Sequence, residues 1–131
     1  MKRMIPILLM MTLLLTGCAV PKPATEANTY RQITMQEAVE MMEKEENYII
    51  LDVRTHEEFA AGHIPGAIVI PNETIGTEDI PQLPDKDQLI MVYCRSGNRS
   101  KQASDKLVKL GYTNIVEFGG IIDWPGEVVT D

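Results

Sequence analysis

The sequence predicts an α/β fold, a central and mostly parallel sheet flanked by helices on both faces. Three observations carry this. Apolar strand-like runs alternate with amphipathic helix-like ones along the chain. The two strongest runs, Tyr48-Ile49-Ile50-Leu51 and Leu89-Ile90-Met91-Val92-Tyr93, are nearly continuous in apolar residues, as strands covered on both faces are. Two capping boxes, Thr34-Met35-Gln36-Glu37 and Thr55-His56-Glu57-Glu58, mark helix starts.

Taken in order, Tyr30 to Ile33 reads as a short first strand. Thr34 opens a helix in which Met35, Ala38, Val39 and Met42 recur at helical spacing, and its methionines are core filler. The run Glu43 to Glu46 is its solvated end. The strand from Tyr48 ends at Asp52, and Phe59 and Ala60 dock the short helix that follows. Gly62-His63-Ile64-Pro65-Gly66-Ala67 punctuates a turn, and Ile68-Val69-Ile70 is a further strand stopped by Pro71. Between Asn72 and Gln88 the signal weakens, and the reading is a short helix near Thr74 to Ile80, broken by Pro81 and Pro84. Leu89 to Tyr93 is the central strand. A helix runs from Lys101 to Leu110 with Ala103, Leu107 and Leu110 inward, and Gly111 stops it. Asn114 to Phe118 is the last strand, ended by Gly119-Gly120, and Ile121 to Trp124 forms a helical turn packed back on the body.

The chemistry concentrates in Cys94-Arg95-Ser96-Gly97-Asn98-Arg99-Ser100, a polar loop between the central strand and the following helix. Arg95 and Arg99 are positive neighbours with no acid between them. Loop N–H groups can converge on the sulfur, and a helix N-terminus adds its dipole; all three favour a thiolate and can hold an anion. Asp52 ends its own strand, and ligands in such sheets sit beyond strand C-termini, so Asp52 and Cys94 can face one site. The preferred role of Asp52 is a hydrogen-bonding partner for Arg54 or loop amides, and Arg54 reads as an ion-pair scaffold. His63 belongs to turn architecture and His56 to a solvated helix face. Two histidines and one free cysteine make no zinc site, and there is no glycine-rich nucleotide fingerprint, so no metal or other cofactor is expected.

With 12 basic and 19 acidic residues, the formal charge is −7. That acidity is a poor match for nucleic acid. Any small anionic substrate would depend on the local Arg95 and Arg99. The start of the chain is organised differently. Met1-Lys2-Arg3 is a positive n-region and Ile5 to Leu15 an apolar stretch shorter than the about 20 residues of a spanning helix. Leu15-Thr16-Gly17-Cys18 resembles the lipobox of bacterial lipoproteins. This implies a signal peptide over 1–17, an acylated Cys18 and a flexible tether over 18–29, with the globular domain over 30–131. The lipid bilayer would then be a partner and the location extracytoplasmic. With Cys18 acylated, Cys94 is the only free thiol of the mature chain, and an unpaired thiol in an oxidising compartment points to use.

Asp52-Val53-Arg54, Glu58-Phe59, Gly62-His63-Ile64-Pro65-Gly66-Ala67, the Cys94 to Ser100 loop and Gly119-Gly120-Ile121-x-x-Trp124 together resemble the single-domain rhodanese family of sulfurtransferases, over roughly Tyr30 to Trp124. The resemblance implies a rhodanese-like sheet and persulfide chemistry. Cys94 attacks the outer sulfur of thiosulfate, sulfite leaves, and cyanide or a thiol, including a protein thiol, accepts the sulfur. It implies that the amides of Arg95 to Ser100 cradle the sulfur, that Arg95 and Arg99 hold the anionic donor, and that Gly97 lets the loop curl. Ser100 has two open roles, capping the helix or donating to the persulfide. Asn98 leaves the donor open between thiosulfate and a 3-mercaptopyruvate-like compound. A monomer is expected. The alternatives are a non-catalytic persulfide or sulfide delivery module and a purely structural domain. A phosphatase of the same fold, which uses Cys-x5-Arg, is disfavoured because the arginine here comes one position early.

Overall fold

The computed structural model describes residues 29–131. The expected leader over 1–17, the acylated Cys18 and nearly all of the tether lie outside the described residues. Five strands form one sheet in the order β1-β5-β4-β2-β3, every pair parallel. They are β1 (Arg31–Gln32), β2 (Tyr48–Asp52), β3 (Ile68–Val69), β4 (Leu89–Cys94) and β5 (Ile115–Gly120). The helices are α1 (Met35–Lys44), α2 (His56–Ala61) and α3 (Asn98–Lys109). No helix among the described residues is long and apolar enough to cross a membrane.

Both capping boxes form. The Thr34 hydroxyl accepts from the Glu37 amide at 3.1 Å while the Glu37 carboxylate accepts from the Thr34 amide, and Thr55 and Glu58 repeat the exchange. Each box satisfies two N–H groups that a helix start leaves unpaired. Alternation along β4 divides the core. Ile90, Val92 and Cys94 face a cluster with Leu51, Val53, Ala103 and Leu107 under α3. Met91 and Tyr93 face the opposite cluster with Ala38, Ile64 and Phe118, against which Met35, Met42, Phe59 and Trp124 pack. Helices therefore cover both faces, and β4 lies at the centre of the sheet.

Three expectations need correction. The helix expected near Thr74 to Ile80 is absent; a single 3-10 turn spans Asn72–Thr74 instead. This stretch is pinned by separate anchors rather than by a helical face. Ile75 and Leu83 are buried, and the Tyr112 hydroxyl donates to the Leu83 carbonyl at 2.6 Å. The helix expected to begin at Lys101 begins at Asn98, because Gly97 takes a left-handed φ of 108° and turns the chain at once. β5 does not stop at Phe118 but continues through Gly119 and Gly120.

Candidate active site

Cys94 ends β4, so its position is fixed by the most deeply buried strand of the sheet, one that pairs with β2 on one side and β5 on the other. The loop beyond it is only three residues, Arg95, Ser96 and Gly97; Asn98, Arg99 and Ser100 are the first turn of α3. The Gly97 amide donates to Cys94 Sγ at 3.0 Å. Burial pushes the thiol up, but the Ser100 hydroxyl and the amides of Ser100, Gly97 and Ser96 outweigh it, and Cys94 is held below its ordinary range.

The floor of this loop is the Gly119-Gly120 pair. Cys94 stands opposite Gly120 across a bulge in the β4–β5 register. A Cβ on Gly120 would collide with the Arg95 carbonyl and the Ser96 amide. One on Gly97 would come within 3.6 Å of the Gly119 Cα. The Ile122 amide donates to the Arg95 carbonyl at 3.3 Å and closes the contact. Along the sequence this pair ends a strand and opens the Gly119-Gly120-Ile121-x-x-Trp124 motif; in the structure it is where the loop rests.

The loop arginines separate. Arg95 is exposed. Arg99 is not free: Nη1 and Nη2 donate to the two carboxylate oxygens of Glu58 at 2.6 and 3.0 Å. That fork pulls the Glu58 carboxyl down to about 2. No acid lies between Arg95 and Arg99 along the chain, but α2 supplies one in space. Among the described residues, the expected pair of anion-facing cations is thus one exposed cation without an ion-pair partner, Arg95, and one that is engaged.

Ser100 is the third residue of α3 and makes no cap. Its hydroxyl is 3.5 Å from Cys94 Sγ, 3.0 Å from the Gly97 carbonyl and 2.6 Å from Glu117 Oε2. Glu117, on β5, is 3% exposed and also accepts from the Gly119 amide at 2.8 Å. Sequence reading missed it, although an acid inside an otherwise apolar strand, Ile115 to Phe118, was the available signal. Asn98 is exposed and Ser96 is exposed at the loop tip.

Asp52 and Arg54 lie one strand away as a buried pair. Arg54 Nη2 donates to Asp52 Oδ2 at 2.6 Å and to the Gly62 carbonyl at 2.7 Å, and the Tyr93 hydroxyl donates to Asp52 Oδ2 at 2.7 Å. The Tyr93 hydroxyl also accepts from the Ile64 amide. Asp52 therefore binds the Gly62 turn to the strand that ends in Cys94. Its oxygens hydrogen-bond to Arg54 and Tyr93, not to the thiol. His63 is buried, stacked on Phe59 with ring centroids 3.7 Å apart, and its Nδ1 is 2.8 Å from the Phe59 carbonyl, a place in the turn rather than the site. A cleft of about 410 Å³ borders the loop, lined in part by Thr34, Ser96, Gly97, Lys101 and Glu117. A cavity of about 480 Å³ between Ile70 and Gln82 does not touch it.

The sequence profile described as the rhodanese-like domain matches residues 34–126. The chain is 37% identical over 73 residues to the thiosulfate sulfurtransferase PspE of Escherichia coli, covering 56% of this chain and 70% of that protein. It is 40% identical over 80 residues to a sulfurtransferase of Allochromatium vinosum, covering 60% and 73%. The crystal structure of a rhodanese-related protein from Thermoplasma volcanium superposes with a TM-score of 0.65 at 30% identity, over 78% of this chain and all of that one.

Proposed function

Because the chain belongs to the rhodanese-like domain family, we propose that it is a sulfurtransferase that carries sulfane sulfur on Cys94, taking it from thiosulfate or a similar small anionic donor. The observation that carries the proposal is the buried Cys94 Sγ at the end of the central strand, set beneath the converging amides of Ser96, Gly97 and Ser100. Those amides favour the thiolate before attack and a sulfur-borne negative charge after it. In the first half-reaction Cys94 Sγ forms a bond to the outer sulfur, the donor's S–S bond breaks, and sulfite leaves with the electron pair. In the second, cyanide or a thiolate takes the outer sulfur and Sγ leaves as the thiolate. Exposed Arg95 draws the anion in. Arg99, tied to Glu58, shapes the helix start and offers no open fork to a phosphate, which leaves phosphatase chemistry without its main group.

The test is thiosulfate-to-cyanide sulfur transfer by the full chain in mild detergent, beside Cys94→Ser. Turnover that vanishes in the variant is the expected result. If the wild type does not turn over, mass spectrometry after thiosulfate decides. One added sulfur atom on Cys94 would favour the delivery-module reading, and its absence would sink persulfide chemistry with this donor. We further propose that Cys18 is acylated and tethers the domain to a bacterial membrane on its extracytoplasmic side, either the outer face of the cell membrane or the periplasmic side, on the strength of the leader pattern ending Leu15-Thr16-Gly17-Cys18. Cys18→Ala should move the protein from the membrane to the soluble fraction; unchanged partitioning would refute the anchor.

A further inference from the structure

Ser100 has one hydroxyl proton and three oxygens within reach: Glu117 Oε2 at 2.6 Å, the Gly97 carbonyl at 3.0 Å and the Gly119 carbonyl at 3.4 Å. The shortest and only anionic one is Glu117, so the proton belongs there while the carboxylate is ionised. The Ser100 oxygen then offers a lone pair toward Cys94, and the thiol donates to it across 3.5 Å. A thiolate needs the opposite orientation, with the Ser100 proton aimed at sulfur. The two orientations differ by the place of one proton.

We propose that Cys94, Ser100 and Glu117 form a proton relay in which the buried Glu117 carboxylate takes the thiol proton through the Ser100 hydroxyl as the thiolate forms. This deepens the reading of Cys94 as the sulfur carrier and rests on it. The Sγ–H bond breaks, that proton bonds to Ser100 Oγ, and the original Ser100 proton passes to Glu117 Oε2. The cluster's net charge does not change, so the thiolate appears without a proton crossing to water. When an acceptor later removes the outer sulfur and Sγ departs with the electron pair, Glu117 returns the proton by the same route. Glu117 is a positioning residue here: it acts on sulfur only through Ser100. Its Gly119 N–H bond holds Oε2 in place.

Other charged groups surround the relay. Glu37 of α1, Lys101 of α3 and Asp123 border the cleft that Glu117 lines. Glu37 is occupied by the Thr34 capping box. Arg99 interacts electrostatically with Cys94 and also with Glu58 and Glu73. Exposed Arg95 lies next to Cys94 in the loop. None of these reaches Ser100 by a hydrogen bond among the described residues.

A shared proton has a signature. Two coupled groups titrate in two macroscopic steps, and between them the fraction present as thiolate does not depend on pH. The experiment measures iodoacetamide alkylation of Cys94 against pH in the full chain, read on the Cys94 peptide by mass spectrometry so that Cys18 does not intrude. The wild type should show two rising limbs with a plateau between them, along which the rate changes by less than about twofold. Glu117→Gln and Ser100→Ala should each give one sigmoid, climbing about tenfold per pH unit below its midpoint. A single sigmoid in the wild type, or a plateau kept in Glu117→Gln, overturns the relay. A second readout needs no change at Glu117: infrared spectra of wild type minus Cys94→Ser within the plateau should contain a protonated-carboxyl band, and its absence also overturns the relay. Neither measurement uses a sulfur donor, so the relay and the sulfurtransferase reading can fail separately.

Discussion

Gly120→Ala tests the architecture of the site with a single methyl group. Gly120 has φ −134° and ψ 152°, an extended conformation that alanine adopts without strain. Its glycine is required only by what lies above it. The new Cβ would overlap the Arg95 carbonyl and the Ser96 amide, both backbone atoms that cannot rotate aside. Restoring van der Waals contact takes a shift on the order of 1 Å or more, and the loop has only three residues to absorb it. Overpacking of this kind costs about 1–3 kcal/mol, which lowers Tm by roughly 5–20 °C in a domain of this size. The Ser96 amide is one of the three that face Sγ, and a misplacement of about 1 Å at reacting groups costs about 100-fold in rate. Gly119→Ala is the control. Its φ of 99° makes alanine strained by about 1–2 kcal/mol, yet nothing lies within 4 Å of its Cβ. The assay is thiosulfate-to-cyanide kcat/KM with a thermal melt on each variant. Comparable losses of stability with a far larger loss of activity in Gly120→Ala are expected. Gly120→Ala retaining more than about a third of wild-type kcat/KM would refute the claim that this floor sets the loop.

Other perturbations separate the charged groups. Glu58 has its folded pKa lowered to about 2 by the Arg99 fork, so its contribution is complete above the ordinary carboxylate range and is lost as pH falls toward about 2. Both side chains are about one-third exposed, so the contribution is on the order of 1 kcal/mol. Urea curves of wild type and Glu58→Gln should differ by that amount near neutrality and converge in acid; a gap independent of pH would contradict the pairing. Arg95→Ala should raise KM for thiosulfate by up to about fivefold without lowering Tm, with the effect fading in high salt. An unchanged KM would remove Arg95 from donor capture. Asp52→Asn leaves the buried Arg54 cation without its counter-charge and should cost about 3 kcal/mol or more, seen as a lower urea midpoint at unchanged slope. A loss below about 1 kcal/mol would show the pair to be dispensable.

The parts of this architecture written in local pattern were legible in the sequence. The capping boxes are such a case, since Thr34 and Glu37, like Thr55 and Glu58, sit within one helical turn of each other. The buried strands Tyr48 to Asp52 and Leu89 to Cys94 are another, because burial on both faces requires an unbroken apolar run. What escaped depends on residues distant in the chain. Glu58 meets Arg99 across 41 positions, and no inspection of the loop reveals that the second arginine is already engaged. Glu117 reaches Ser100 only because β5 lies beside β4. The Gly119-Gly120 pair punctuates a strand in one dimension and supports a loop in three. The missing helix after Asn72 failed for a different reason: Ile75 and Leu83 are buried singly, so the stretch has no apolar face for a helix to present.

The sheet order also governs when the surroundings of Cys94 are completed. β5 is the last strand among the described residues, yet it lies inside the sheet, between β1 and β4. It contributes Glu117, Gly119 and Gly120, the whole underside of the loop. On a ribosome that makes the chain from its N-terminus, Cys94 emerges before any of them and at that moment is an ordinary cysteine. Only when β5 takes its place between β1 and β4 does the loop acquire its floor. Pairings this far apart in sequence form slowly, so the loop that holds Cys94 is completed only with the sheet, and a nascent or misfolded chain lacks the support beneath it.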